Sequence, residues 1–403
     1  MGIKNLNKLL RHECPNEFVL THLSHFAGKT VAVDMSLFIY KYIKSIGTDS
    51  NGNGGWLNAI ISLMCCLKKN HIKILCVFDG QNIPIEKIKE REIRKDNNEK
   101  LIDKSIQSKI IFDEFCTKYT NPIIPIPEEF KQRCLNISKE IMYAINNNDR
   151  DECFLILKNI KNKLDIQSTQ VTKQHILMVE ELVKILGISY LYADGEAEKL
   201  CVYLCNSGNT GGACSPNSLT LSSCASHVDA VLTEDTDVLA YKCNLFLSKI
   251  NITQSTVVAI KFQNIIKSLD ISDSEFLDMC IMCGCDYNHN VKGLGSITAF
   301  KLIKKYKNLE KIEQCESKYN LTPLNYKVCR ELFSFNVRPL TKVSAVGSTA
   351  FGVNNFKNTV PYDNPIDFDK LEKFLSNHKC FVNIKYIKQH WEPTKLIFDD
   401  EEK

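Results

Sequence analysis

Thr30-Val31-Ala32-Val33-Asp34-Met35-Ser36 is a short β-branched run that ends on a carboxylate and passes straight into a helical pattern, Met35–Ser45. The same grammar recurs three times. Ile72–Phe78 ends in Asp79-Gly80. Ile188–Tyr192 leads to Gly195-Glu196-Ala197-Glu198 and a helical pattern over Glu196–Leu204. Val228–Leu232 runs through Thr233-Glu234 into Asp235-Thr236-Asp237. β-Branched runs, each followed by a helical pattern, predict parallel strands with crossover helices, an α/β fold. Further helices are predicted at Leu57–Lys69, Lys173–Leu186, Ser274–Cys283 and Ile297–Tyr306, the last two separated by a Gly-containing turn.

The 403 residues suffice for one elaborated α/β domain or two domains. After Gly80 the pattern changes. A charged, helix-favouring stretch over Ile85–Phe112 is followed by Pro122, Pro125 and Pro127 and then more helix. This predicts a long insertion, to about residue 170, between two strands of the sheet. Asn206–Ser226 and Val337–Pro365 have loop-like composition, and no internal repeat is visible.

Composition excludes several classes. Hydrophobic residues at 44% and charged residues at 24% are ordinary for a soluble globular chain. No apolar run reaches the roughly 18 residues that span a bilayer, so no membrane association is expected. The N-terminus lacks a signal peptide core, and Leu6 rules out a myristoylation signal, so an intracellular protein is expected. A net charge of +4 is no polycation, so any nucleic-acid face must arise by segregation of charge. The 18 cysteines then read as reduced thiols, with Cys65, Cys66, Cys283 and Cys285 as small core residues. Cys201, Cys205, Cys214 and Cys224 fit a zinc site poorly, because they form no tight C-x-x-C pair.

In open α/β sheets, sites form outside the carboxyl ends of the strands. Four predicted strand ends there deliver Asp34, Asp79, Glu196, Glu198, Asp235 and Asp237 to one edge, and Asp286 follows a helix as a seventh acid. Singly, each acid reads equally well as a helix cap or a solvated turn. Together they would repel one another and raise their pKa values unless cations intervene. Hard oxygen ligands without His or Cys select Mg²⁺, or Mn²⁺ in its place. Two such ions roughly 3.5–4 Å apart suit in-line attack on a phosphodiester.

Met1-Gly2-Ile3, Val33-Asp34-Met35-Ser36 with Tyr40, and Val77-Phe78-Asp79-Gly80 resemble the N-terminal region of flap endonucleases, in the XPG superfamily of structure-specific 5′ nucleases. Val171-Thr172-Lys173-Gln174-His175, Gly195-Glu196-Ala197-Glu198, Thr233-Glu234-Asp235-Thr236-Asp237, Gly284-Cys285-Asp286-Tyr287 and Val291-Lys292-Gly293-Leu294-Gly295 resemble its internal region. The likeness covers roughly residues 1–95 and 170–307. It implies a parallel twisted sheet nuclease core flanked by helices, a helical arch insertion and a C-terminal helix-two-turn-helix. The corresponding division is 1–95 and 171–310 for the nuclease regions, 96–170 for the arch, and 311–403 for an extension wrapping the core. By the same resemblance Asp79 and Glu198 bind one metal, Asp235 and Asp237 the other, and Asp34, Glu196 and Asp286 act through coordinated water.

The resemblance also implies DNA contacts. Lys87 and Arg94, two helical turns apart, match cations at the base of the arch that draw the scissile phosphate toward the metals. Without it, the stretch from Glu86 to Lys109, with eight basic and six acidic residues, reads as a solvated helix. Tyr40 matches an aromatic that stacks on an unpaired base, and Gly2 is counted with the DNA-binding residues. Gly293 and Gly295 form a turn whose backbone N–H groups suit a DNA phosphate, with K⁺ beside it, and Lys292, Lys301 and Lys304 supply charge. Ser296 and Ile297 stand where the family has Pro and Lys. His175 reads as a structural histidine.

The function these features imply is 5′ flap endonuclease action on branched or flapped DNA in replication, repair or recombination, by a monomer. A 5′–3′ exonuclease or junction resolvase shares the metal core; an inactive DNA-binding scaffold is the non-enzymatic alternative. The 117-residue interval from Asp79 to Glu196 exceeds a typical arch region by about residues 112–165. Pro393–Lys403 carries no sliding-clamp docking peptide, so clamp binding is not expected. The nucleus is the expected compartment, or a cytoplasmic replication compartment if the source is a large DNA virus.

Overall fold

The computed structural model describes residues 2–48, 54–82, 84–207, 228–335 and 366–391. Strands and helices are numbered in chain order. Seven strands, β1 (Val19–His22), β2 (Thr30–Asp34), β3 (Lys73–Phe78), β4 (Ser189–Tyr192), β5 (Ala230–Leu232), β6 (Leu245–Asn251) and β7 (Thr256–Lys261), form one sheet in the order β1-β7-β6-β5-β2-β3-β4. From β6 to β4 every neighbour is parallel; β7 runs antiparallel to β6, and β1 antiparallel to β7.

The parallel sheet expected from the sequence is thus the five-stranded centre of a mixed one. Physical reasons explain the three strands that the pattern did not show. β1 has only four residues, three of them exposed, so no apolar run marks it. The β6–β7 hairpin is broken by a register shift between Ser248 and Asn251, with Lys249 and Ser255 at positive φ, which blurs the two-residue alternation.

The central strands are buried on both faces, and their side chains alternate between two cores. Ala32, Leu75, Val77 and Val231 point to one side. They meet α1 (Leu6–Glu13), α9 (Ala197–Ser207), α10 (Asp237–Ala240), α11 (Phe262–Leu269), α12 (Asp273–Cys283), α13 (Ser296–Tyr306), α14 (Leu309–Cys315) and α15 (Tyr326–Leu332). Val31, Val33, Ile74, Cys76, Phe78 and Leu232 point to the other. There lie α2 (Met35–Ile46), α3 (Gly55–Lys69), α8 (Lys173–Ile185), α16 (Phe368–Asn377) and α17 (Ile384–Trp391). Cys65, Cys66, Cys283 and Cys285 are buried in these cores.

Between β3 and β4 the chain inserts α4 (Ile88–Glu114), α5 (Glu128–Ile137), α6 (Ile141–Asn146) and α7 (Arg150–Ser168). They enclose a third core, with Phe115, Phe130, Cys134, Ile141 and Leu157 at its centre. Ser105 Oγ–H donates to Asp165 Oδ1 at 2.5 Å, and Phe112 packs on Phe154 at 5.4 Å, so α4 and α7 stand together. Lys44 on α2 clamps the base of this pair: its ammonium donates to Asn98 Oδ1 and to the Gln167 carbonyl, 2.9 Å each.

Toward the C-terminus, Arg330 on α15 makes a two-pronged bond to Asp278 on α12 at 2.6 and 2.7 Å, and its Nη1 reaches Glu310 on α14 at 2.6 Å. Asp278 is buried and also accepts the Leu309 N–H at 3.1 Å. Three helices therefore share one buried charge. Trp391 Nε1–H donates to the Leu186 carbonyl at 3.1 Å, pinning α17 beside α8. The loop expected over 337–365 lies outside the described residues.

Removing one partner of a buried pair strands the other's charge. Arg330→Ala is expected to cost about 3 kcal/mol, lowered somewhat by the guanidinium's partial exposure. Urea denaturation measures it, and an unchanged midpoint would mean that water replaces the guanidinium.

Candidate functional site

Each carboxyl end of β2, β3, β4 and β5 turns toward a helix N-terminus, and each junction carries an acid. Asp34 closes β2 and caps α2, accepting the Leu37 N–H at 3.0 Å and the Thr233 hydroxyl at 3.0 Å. Asp79 follows β3; its N–H donates to Ser36 Oγ at 2.8 Å, and its Oδ1 accepts the Ala197 N–H at 2.9 Å. Glu196 and Glu198 open α9 beyond β4. Asp235 and Asp237 flank the β5–α10 turn, where the Asp237 N–H donates to Asp235 Oδ1 at 3.0 Å. Asp286 arrives from the loop after α12.

Glycine holds these junctions close. Gly80 N–H donates to the Gly195 carbonyl at 2.7 Å, and a Cβ on Gly80 would collide with the backbone of Ala193 and Asp194. Gly2, at φ 86°, lies over the β5–α10 turn; a Cβ there would collide with Asp235 Oδ1 and sit 2.7 Å from Asp237 Oδ1. Only a residue without a side chain fits between the N-terminal segment and these two aspartates.

Lys87 and Arg94, from the start of the insertion, enter the same site. Lys87 Nζ donates to Glu196 Oε1 and lies 3.3 Å from Asp286 Oδ2. Arg94 Nη2–H donates to Asp286 Oδ2 at 2.7 Å, and its Nε–H to Glu90 at 3.0 Å. Burial alone would depress Lys87, but Glu196, Glu198 and Asp286 outweigh it and hold its pKa above the ordinary lysine value. The seven acids, the two cations and Gly2 are therefore gathered in one place.

Crowding has the opposite effect on the acids. Burial, and then the Asp79 charge, push Asp34 up to about 7. Burial raises Glu198 well above the carboxylate range, helped by Glu196, Asp34 and Asp235. Asp237 is raised by burial and by Asp235 and Asp286, and Asp235 mainly by burial. Desolvation raises Asp79 too, although the residue keeps an exposed edge. Asp237 Oδ1 is buried with no hydrogen-bond partner. Such a site favours a proton or a cation.

Among the described residues, no three His, Cys, Asp or Glu side chains already converge as a closed chelate. The Lys87 charge acts on Asp79, Glu198, Asp235 and Asp237 as well as on its direct partners, so an ammonium stands among the oxygens. An all-oxygen set with an orphaned Asp237 oxygen fits a hard divalent cation.

Tyr40 is 45% exposed on α2; with Gly2, Phe18, Lys4 and Lys41 it lines a cavity of about 540 Å³. Gly293, at φ 81°, and Gly295, the N-cap of α13 with open space over its Cα, form the α12–α13 turn. Lys292 and Lys301 are exposed there, while Lys304 pairs with Asp270 at 3.3 Å. His175 caps α8 with Thr172 and meets Trp56 edge-on, which is a structural place. Cys201 and Cys205 are buried, and Cys214 and Cys224 lie outside the described residues.

Sequence reasoning missed Tyr241 altogether and gave Tyr287, Ser36 and Thr233 no part in the site. Ser36 and Thr233 flank the acids in sequence, and that adjacency was the one available clue. The tyrosines hydrogen-bond Glu196 from afar.

The family description XPG N-terminal domain matches residues 1–101, and XPG I-region matches residues 187–286. The chain carries both XPG regions. All seven acids, Lys87 and Arg94 fall within those two stretches, and most of the inserted helices between them. Among XPG relatives, the probable RAD2-like endonuclease 369L of Invertebrate iridescent virus 6 is 27% identical over 353 residues, 83% of this chain and 79% of the relative. Flap endonuclease 1-2 of Paramecium tetraurelia is 27% identical over 410 residues, covering 95% and 84%. The catalytic core of Rad2 in complex with DNA substrate superposes with TM-score 0.55 at 16% identity, covering 96% of this chain and 98% of that one. Flap endonuclease-1 from Methanococcus jannaschii gives 0.52 at 18% identity, covering 93% and 94%. The fold of the chain is that of these XPG nucleases. Among the described residues no helix is long and apolar enough to cross a membrane.

Between its ordinary value near 3.8 and about 7, Asp34 holds a proton in the folded chain that the unfolded chain has lost. Where the folded state binds more protons, stability falls as pH rises. Thermal melts of the metal-free protein should drop by several degrees across that window, and Asp34→Asn should flatten the decline. A wild-type Tm that rises instead would show that the folded chain binds fewer protons than the unfolded one across that window.

Proposed function

We propose that this chain is a divalent-metal-dependent 5′ flap endonuclease that hydrolyses DNA phosphodiesters near single/double-strand junctions in replication, repair or recombination. The observation that carries the reading is the gathering of seven carboxylates, Lys87 and Arg94 at one sheet edge, with Asp237 Oδ1 buried and unpartnered.

Asp79 and Glu198 would hold one Mg²⁺, and Asp235 and Asp237 the other, with Asp34, Glu196 and Asp286 acting through solvent; Mn²⁺ suits the same donors. Bound there, the ions supply Lewis acidity toward the phosphodiester and the attacking water. The protein's part is orientation and charge. Lys87 and Arg94 can exchange carboxylate for phosphate oxygens at the mouth, fixing the scissile phosphate and stabilising the charge that develops on it. Tyr40 offers an exposed ring to an unpaired base. Gly2 keeps the N-terminal segment thin enough for DNA to approach the aspartates. The α12–α13 turn, with Gly293, Gly295, Lys292, Lys301 and Lys304, suits a duplex phosphate with K⁺ beside it. The α4–α7 arch would stand over the single strand, and residues 311–403 would form an extension wrapping the core. The working form would be a monomer, in the nucleus or a viral replication compartment.

The test uses 5′-labelled flap, nicked, blunt and four-way junction DNAs, in Mg²⁺ and in EDTA. A single product at the flap base is expected, lost in EDTA and in Asp235→Ala. Stepwise mononucleotide release would move the reading to a 5′–3′ exonuclease, and junction cleavage to a resolvase. Tight binding without cleavage of any substrate would replace it with a DNA-binding scaffold.

Lys87→Ala is expected to lower single-turnover cleavage by about 10²–10³-fold with flap affinity changed far less. Equal losses in rate and affinity would make Lys87 a binding residue only.

A further inference from the structure

Two buried tyrosine hydroxyls converge on one carboxylate. Tyr287 O–H donates to Glu196 Oε2, and Tyr241 Oη lies 2.8 Å from Tyr287 Oη and 3.5 Å from Glu196 Oε2. The other oxygen of Glu196 accepts from Lys87. Glu196 is thus held from two sides by groups of different kind. Lys87 belongs to the inserted helices and ends in a flexible chain. The tyrosines are fixed by packing: Tyr241 is 1% and Tyr287 4% exposed, and their rings lie 4.9 and 5.2 Å from Phe333. Phe335 adds a second phenylalanine ring, 5.9 Å from Tyr241. Burial, together with the neighbouring acids, keeps both phenols protonated and so able to donate.

A buried hydroxyl needs a partner, and here the partner chain runs Tyr241 to Tyr287 to Glu196. Donors in series polarise one another, and donors behind a carboxylate that faces a metal site orient it. Phe333 and Phe335 lie beyond residue 286, outside the two matched XPG stretches.

We infer that Tyr287, backed by Tyr241 and braced by Phe333, is a positioning residue that holds Glu196 toward the ion site, so that the segment after α15 sets the ion affinity of the centre. The inference rests on the metal-dependent reading proposed above. When Lys87 turns to a phosphate, the tyrosine bond is what keeps Glu196 in place.

The test titrates Mn²⁺ into the DNA-free, full-length protein, by calorimetry and by the Mn²⁺ electron paramagnetic resonance signal. Tyr287→Phe keeps the ring on Phe333 and removes only the hydroxyl. It should weaken Mn²⁺ binding by about 10- to 100-fold while the metal-free Tm stays at the wild-type value. Tyr241→Phe should weaken binding less. Phe333→Leu keeps both hydroxyls but loosens their brace, and should fall between the two. Tyr287→Phe binding Mn²⁺ as tightly as wild type, whether or not it melts lower, overturns the inference and leaves the hydroxyl a structural role. Wild-type protein that binds no Mn²⁺ overturns the metal-dependent reading itself, and this inference with it.

Discussion

Like charges forced together against apolar walls are the constraint on which the rest of this structure depends. Asp34, Glu198, Asp235 and Asp237 are all buried, and each raises the cost of ionising its neighbours. No strand end would carry such acids for stability alone. The fold tolerates them because fixed donors and two cations offset part of the repulsion: Thr233 and Leu37 toward Asp34, Ala197 toward Asp79, Lys87 and Arg94 toward Glu196 and Asp286. The sheet, covered on both faces, keeps the acids from moving apart.

That arrangement ties the insertion to the site. Lys87 and Arg94 stand on the first turns of the inserted helices, so the electrostatics of the acids reach directly into the α4–α7 pair. The pair is stiffened by its own core and clamped at its base by Lys44. A change in what Lys87 and Arg94 bind is therefore felt at the foot of a rigid element rather than in a free loop. Exchange of carboxylate for phosphate there would couple DNA arrival to the position of the arch.

The C-terminal helices have a comparable role. Arg330 joins α12, α14 and α15 around buried Asp278, and α12 leads into the loop that carries Asp286. One turn further, Phe333 braces the tyrosines that hold Glu196. Helices with no acid of the centre on them thus set the positions of two of its acids.

By itself the sequence determined which acids close the strand–helix junctions and that parallel strands carry them. β-Branched runs ending on Asp34, Asp79 and Asp235, each followed by a helical period, are local patterns, and local patterns are legible in one dimension. Strands β1, β6 and β7 escaped because an exposed four-residue edge and a bulged hairpin do not alternate. The partnerships were decided only by the tertiary structure. Lys87 meets Glu196 across 109 residues, Arg94 meets Asp286 across 192, and Tyr287 meets Glu196 across 91. No periodicity links such positions. They are brought together because buried charge and buried hydroxyl must find partners, and the packed sheet and helices leave those partners within reach.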